Sequence, residues 1–334
     1  MINFRPSNLP QKIERIFQPK LPPVACEVSP EHFCVVRIGN RRPPTLERFS
    51  AVPLPAGLFV PSLIRPCISS FDEFENLVRT TLAKADLKPA RISLAIPDAV
   101  AKVAVQALDT LPGKEGDRAQ LLRWKLKKSV PFNIDEGSLA WREQRTPQGK
   151  YLTVTAGIAR EVLSQIERVF QNLGIHVGYV TLSSFASFEL LVRSDAQALQ
   201  GSVLYIRTSP SSISSLIFQN GNLVFFRTSE LDGAPEGPSR PATPAAAYVD
   251  RLYDEIHPCL MYYQDKIGAQ GIERVYVSPH IDLERGSLAV LSEKASCPVH
   301  PVDISQAVHW PAGEARGAIR AALLSPLGLA LGKF

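Results

Sequence analysis

The sequence predicts an α/β protein built as two similar lobes. Three observations carry that prediction. The chain has 334 residues, room for about two domains that each bury a core. Each half opens on a β-hairpin signature, and each hairpin leads into alternating strand-like and helix-like segments. A hydrophobic share of 45%, a charged share of 21% and a mean hydropathy near zero are those of an ordinary globular chain.

The elements follow in order. "LPQKIERIFQPKLPP" is a short helix between prolines, with Leu9, Ile13, Ile16 and Phe17 on one face. Residues 1–20 read as an N-terminal arm, packed on its own domain or docked on a partner or membrane surface. "PVACEV" and "FCVVRI" are strands joined by the polar turn "SPEH". The proline-rich stretch from Pro43 to Pro66 reads as irregular connection or edge structure. A helix follows at "SFDEFENLVRTTLAKADL", where Ser70 and Glu73 make a capping box and Phe74, Leu77, Val78 and Leu82 form the buried stripe.

"RISLAIP" and "KVAVQAL" are strands, and a helix then runs through "QLLRWKLKKSV". Pro131 has a fixed φ and no N–H, and it biases Val130 away from helix, so the helix ends there. "SLAWREQ" and "YLTVTAGIA" return as strands. The helix "REVLSQIERVFQNLG" points Val162, Ile166, Val169, Phe170 and Leu173 inward and ends on Gly174. "HVGYVTL" and the helix "SSFASFELLVRS" close the first half.

The second half opens with "SVLYIRT … SISSLIFQNGNLVFFRTSE", where Asn220-Gly221 between apolar runs marks a tight hairpin. "LDGAPEGPSRPATP" reads as a loop. A long helix from about residue 245 to 266 leads to the strand "IERVYVS", then a helix, the short strand "PVHPV" and a last helix ending in "SPLGLAL".

A net charge of +5 and a pI near 8.9 suit an acidic protein partner or an anionic membrane surface. They fall short of the dense basic stripe of a dedicated nucleic-acid binder. Five scattered cysteines, with no CxxC pair, read as reduced thiols of a cytosolic protein. The sequence shows neither a run of about 20 apolar residues nor an apolar signal core. The six histidines show no metal-ligand spacing, and His257 near Cys259 has no second pair. No Walker A, G-x-S-x-G or dinucleotide fingerprint occurs.

The order of these motifs resembles the actin-like ATPase superfamily, and within it the type IV pilus assembly PilM family, related to FtsA. The most specific stretch is Ser129-Val130-Pro131-Phe132-Asn133-Ile134-Asp135-Glu136 followed by "SLAWRE", which is similar to the family's helix, "Y-I-P-F" step, acidic residues and strand. "RISLAIPDAVAKVAVQALDTLP", "REVLSQIERVFQNLGIHVGYVTLSSFASFELL", "SLIFQNGNLVFFRTSELDG", "VDRLYDEIHPCLMYYQDKIGAQGIERVYVS" and "PLGLALG" match in order. The resemblance covers nearly the whole chain beyond about Leu21. It implies two actin-like (ribonuclease H-like) lobes at 21–193 and 194–334, with a subdomain 1C inserted in the first at about 91–148.

The family holds Mg·ATP between its lobes, where small residues let backbone N–H groups reach the phosphates and carboxylates organise the metal. By the resemblance, Glu27 falls on the acid of the first hairpin and Ser29 on its glycine, with Pro30 removing an amide donor. In the second hairpin Tyr205 replaces the acid and Arg207 the glycine, while Pro279 and His280 replace the paired glycines of the third element. Arg207 with Ser209, Ser211 and Ser212 could contact a phosphate, or simply form a satisfied surface arginine and a serine-rich turn. The expectation is a pseudo-ATPase scaffold with vestigial pocket positions, no cofactor and no catalytic residue, and ATP with Mg²⁺ as the alternative.

The resemblance further implies a protein at the inner face of the cytoplasmic membrane, peripheral to it through a partner. That partner is the short cytoplasmic tail of a PilN-like inner-membrane protein, received near subdomain 1C and coupled to the pilus motor ATPase ring. Trp124, Phe132 and Trp141 would line that surface or form the small subdomain's core. Arg123, Lys125, Lys127 and Lys128 would meet an acidic partner or form a solvated helix face. Two alternatives are a divergent ATP-binding protein whose nucleotide state controls docking and a cytoplasmic component of a type II secretion system.

Overall fold

The computed structural model of the chain describes residues 21–39, 44–146, 149–230, 244–267, 270–278, 280, 283, 285–303, 307–310 and 317–332. The N-terminal arm at 1–20 and residues 231–243 of the expected loop lie outside the described residues. The chain divides into two compact units, one of Met1–Leu190 with Ser305–Glu314 and Ala322–Phe334, the other of Leu191–Ile304 with Ala315–Ala321.

In the first unit β1 (Val24–Val28), β2 (His32–Gly39) and β3 (Thr45–Pro53) form an antiparallel meander. The apolar runs "VACEV" and "RISLAI" are the central strands: β1 is buried along its whole length and lies parallel to β4 (Arg91–Ile96). The edge strand β3, with exposed residues through its length, occupies part of the Pro43–Pro66 stretch. A small second sheet contains β5 (Lys102–Leu108), β6 (Ser138–Arg145) and β7 (Tyr151–Ile158) in the order β5-β7-β6. The main sheet is completed by β8 (His176–Leu182), giving the order β3-β2-β1-β4-β8.

Two helices cover one face of that sheet. In α1 (Phe71–Lys84) Phe74, Val78 and Leu82 are buried as the periodicity predicts, while Leu77 is half-buried. The expected capping box does not form: Ser70 is the N-cap but its side chain makes no cap hydrogen bond. Asp72 and Glu73 in the first turn supply the negative charge that the helix N-terminus favours.

Between β5 and β6 lies α2 (Glu115–Lys127), capped at Lys128, so the chain leaves the helix just before the Val-Pro-Phe step. In α3 (Arg160–Asn172) Val162, Ile166, Val169 and Phe170 are buried. Its end is a Schellman turn in which Gly174 takes φ +73° and the Ile175 N–H donates to the Phe170 carbonyl at 2.9 Å. Phe170 meets Phe33 of β2 at 6.2 Å between ring centroids. Each such side chain adds about 2 kcal/mol on burial.

The helix α4 (Ser183–Ser194) follows β8. Asp98, buried in the short turn just after β4, accepts hydrogen bonds from the Ser184 N–H at 3.2 Å and hydroxyl at 2.7 Å, so a carboxylate from that turn caps the helix.

The second unit repeats the first sheet. β9 (Ser202–Thr208), β10 (Ser212–Gln219) and β11 (Asn222–Glu230) form the meander. Asn220 and Gly221 take φ +49° and +77°, as a tight primed turn demands. β12 (Arg274–Ser278) and β13 (Val299–Pro301) add in parallel, giving β11-β10-β9-β12-β13. α5 (Pro244–Lys266) and α6 (Arg285–Ala295) pack on one face through Val249, Leu252, Ile256 and Leu291 against Leu204, Ile206, Val275 and Val277.

Two expected boundaries move. The insertion spans about 102–158, not 91–148, because β4 pairs in parallel with β1 and β8 while β7 is the central strand of the small sheet. The second lobe does not run to 334: from Ala322 onward the last helix, α7 (Gly317–Leu331), belongs to the first unit. There Ser325 donates to the Ser183 carbonyl at 3.1 Å and the Cys34 thiol donates to the Ala322 carbonyl at 3.1 Å. None of the five cysteines forms a disulfide, and burial pushes the Cys67 and Cys259 thiols up to about 11. Among the described residues no helix is long and apolar enough to cross a membrane.

Candidate functional site

The residues expected at a nucleotide pocket gather on two turns, one in each unit. In the first, Ser29-Pro30-Glu31-His32 joins β1 to β2. The Ser29 N–H donates to the His32 carbonyl at 2.9 Å. The Ser29 hydroxyl oxygen accepts from the N–H of Glu31 at 3.3 Å and of His32 at 3.0 Å. Pro30 has no N–H to give. Every amide of the turn is therefore spent inside it, and none is left to bind an anion.

Glu27 precedes that turn by two residues and is fully buried. It lies directly across the ladder from Cys34, also fully buried. The His32 Nε2 stands 3.7 Å from the Glu27 carboxylate, and its Nδ1 is 3.0 Å from the Ser29 hydroxyl.

The second turn, Ser209-Pro210-Ser211-Ser212, joins β9 to β10 with the same bonds. The Ser209 N–H donates to the Ser212 carbonyl at 2.8 Å, and the Ser209 hydroxyl accepts from the N–H of Ser211 at 3.3 Å and of Ser212 at 3.0 Å. Its amides are likewise used up. Matching the turns on Ser29 and Ser209 corrects the register read from the sequence. Arg207, half-buried and across from Ser214, occupies the place of Glu27, and Tyr205 occupies that of Ala25. Tyr205 is fully buried on β9 between its ladder neighbours Leu216 and Tyr276, a core residue and not a pocket wall.

His280 closes on the same second turn. Its N–H donates to the Thr208 hydroxyl at 3.0 Å, its Nδ1 stands 3.0 Å from that oxygen, and its ring meets the Tyr248 ring edge-on at 5.1 Å. Tyr248 reaches Thr208 at 2.6 Å, and burial pushes its phenol up to about 12. Thr208, Tyr248 and His280 thus form one packed knot beside the second turn. Pro279 lies outside the described residues.

The expected partner surface sorts by burial. Trp124 on α2 is 65% exposed, the most open of the large exposed apolar side chains among the described residues. Phe132 is half-buried and packs with Leu126 and Ile134 over Gly157 of β7, where a Cβ would fall 2.7 Å from Leu126. Trp141 is half-buried on β6. Phe132 is thus core of the small sheet, and Trp124 presents the surface. Lys127 is held by Asp135 at 3.0 Å, and Arg118 by Glu143 at 2.7 Å. Arg123 and Lys125 are half-buried, and Lys128 is exposed beside Trp124 in the next turn.

The cluster of buried Glu27, half-buried His32 and buried Cys34 has no counterpart in the residues singled out from sequence beyond Glu27 itself. The signal was present: His32 and Cys34 are two apart on one strand, hence on one face, with Glu27 opposite.

No protein-family model matches the sequence, and no curated protein matches it. Solved structures do. A chain of the "PilM-PilN type IV pilus biogenesis complex" is 17% identical with a TM-score of 0.76, over 94% of this chain and 98% of that one. Ethanolamine utilization protein EutJ from Carboxydothermus hydrogenoformans is 11% identical at a TM-score of 0.48, over 96% of this chain and 94% of that one. The cytoplasmic domain of EpsL, an inner membrane component of the type II secretion system of Vibrio cholerae, is 8% identical at 0.44, over 82% and 94%. With twin five-stranded sheets of one order and a small sheet inserted in the first, the chain has the actin-like ATPase fold, in the form found in the PilM-PilN complex.

Proposed function

We propose that this protein is a PilM-like scaffold of a type IV pilus assembly platform, standing at the cytoplasmic face of the inner membrane. It binds the short cytoplasmic tail of a PilN-like membrane protein through the small-sheet subdomain, with Trp124 as the anchor, and links that partner to the motor ATPase ring. It does so without hydrolysing ATP. The observation that carries the reading is the end-to-end likeness to a chain of the PilM-PilN complex, at a TM-score of 0.76. The two Ser-Pro turns support the absence of hydrolysis, because each spends its own amides where phosphates would need them.

Calorimetry with the tail peptide of the PilN-like protein from the same organism tests the reading. Saturable binding is expected, weakened at least about tenfold by Trp124→Ala, as for an aromatic anchor. Absence of binding by the wild-type chain would sink the partner assignment. Mg·ATP titrated into the millimolar range is expected to give no saturable heat. Saturable heat would overturn the nucleotide-free reading.

A further inference from the structure

We propose that Glu27, His32 and Cys34 form a binding site for a borderline-soft divalent metal, with Zn²⁺ as the fitting ion. The three residues offer a carboxylate oxygen, an imidazole nitrogen and a sulfur, all within 4.8 Å of one another. They share one face of the β1–β2 hairpin: Glu27 and Cys34 are ladder partners, and His32 lies two residues before Cys34. Ligand atoms around four-coordinate zinc stand about 3.3–3.8 Å apart, given bonds of about 2.0–2.3 Å. The 3.7 Å between His32 Nε2 and the Glu27 carboxylate is within about 0.4 Å of the spacing of a nitrogen–oxygen pair there.

A second feature points the same way. The Ser29 hydroxyl lies 3.0 Å from His32 Nδ1, which orients the ring as the outer partner of a metal-bound imidazole does. The opposite nitrogen, Nε2, is buried and makes no hydrogen bond. It faces the carboxylate of Glu27, whose side chain is wholly buried. A cation there satisfies the nitrogen lone pair and takes a carboxylate oxygen as a second ligand.

The donor set decides the metal. Nitrogen, sulfur and a single carboxylate suit zinc and its late first-row neighbours, whereas Mg²⁺ demands six oxygens including waters. On binding, the Cys34 thiol gives its proton to solvent and its sulfur bonds the metal, breaking the S–H bond that now donates to the Ala322 carbonyl. The chain supplies three ligands and leaves the fourth position to water. The hairpin supplies all three ligands by itself. The site stands on the hairpin alone and does not depend on the pilus assignment.

The test uses the full chain stripped of metal and titrated with Co²⁺ as a spectroscopic probe, then Zn²⁺ in competition with a chromophoric chelator. One equivalent of cobalt should produce a thiolate-to-cobalt charge-transfer band and the intense visible bands of a four-coordinate ion, both displaced by zinc and untouched by Mg²⁺. Cys34→Ser should abolish the charge-transfer band. His32→Gln should weaken zinc binding by about 100-fold or more, beyond the range of outer-partner losses. No thiolate band in the wild type, a band that survives Cys34→Ser, or displacement by Mg²⁺ would each overturn the site. If Cys34→Ser does not fold, His32→Gln at its partly exposed turn position decides: full-strength zinc binding there overturns the proposal.

Discussion

The turns at Ser29 and Ser209 are built alike and filled differently. Each uses serine to accept two amides and proline to delete a third, so the same local chemistry closes both. Around the first stand Ala25, Glu27 and His32; around the second stand Tyr205, Arg207 and Ser212. On the opposite face, Val28 of the first corresponds to Thr208, which ties Tyr248 and His280 together in the second. A repeated backbone device therefore fixes what neither turn can do, which is to offer amides to an anion. The side chains beside it decide what each turn does instead: a ligand set in one, a packed knot in the other.

The comparison is broken most forcefully at Tyr205. Its counterpart in the first unit is Ala25, so Tyr205→Ala makes the two strands alike at that position. Because the side chain is fully buried, the change should destabilise the protein by about 3–5 kcal/mol in urea unfolding. A loss under about 1 kcal/mol would mean that Tyr205 lines a relaxed pocket after all.

The alkaline limb separates the units next. Burial holds the Tyr248 phenol near 12, above its ordinary 10. A folded-state value raised above the unfolded one gives stability that is complete below about pH 10 and lost as pH climbs to about 12, roughly 3 kcal/mol in all. Tyr248→Phe should lessen the fall in stability across that window, leaving the share of Tyr276, which burial also holds near 12, while removing the bond to Thr208 at neutral pH. An unchanged slope between pH 10 and 12 would show that the phenol is not held protonated.

The smallest effect sharpens the likeness. Ser29→Ala and Ser209→Ala each strand two turn amides near the surface, and in metal-free buffer each should cost about 1–2 kcal/mol. Costs equal within about 0.5 kcal/mol mark the turns as one device. A neutral Ser209→Ala beside a costly Ser29→Ala would show that the second turn is held by its neighbours.

Much of this architecture was legible because it depends on local patterns. Asn220-Gly221 between apolar runs could only be a tight turn, and Pro131 could only end α2. The stripe of α3 named four of its five buried residues in advance; Leu163 was missed, and Leu173, expected inward, is half-buried at the C-cap. What stayed hidden depends on pairing between distant strands. An apolar run such as "RISLAIP" does not announce which sheet it joins, so the insertion was drawn one strand early. Tyr205 was set in the place of the acid because it was aligned on the family's three-residue step, whereas the repeated Ser-Pro gives the register. Reading histidines along the chain for ligand spacing passed over His32, whose companions are one strand away and two residues on.

The helix α7 joins the first unit although it follows the whole of the second in the chain. Gly328 sits so close to α4 that a Cβ there would fall 1.8 Å from the Ala186 carbonyl, and Leu323, Leu327 and Leu329 are buried with it. During synthesis the first sheet therefore emerges long before the helix that covers one of its faces. The unit made first is finished last, and until α7 arrives the apolar surface it buries lacks its native cover. A nonsense change upstream of Ala322 would thus strike the opposite end of the protein from the one it shortens.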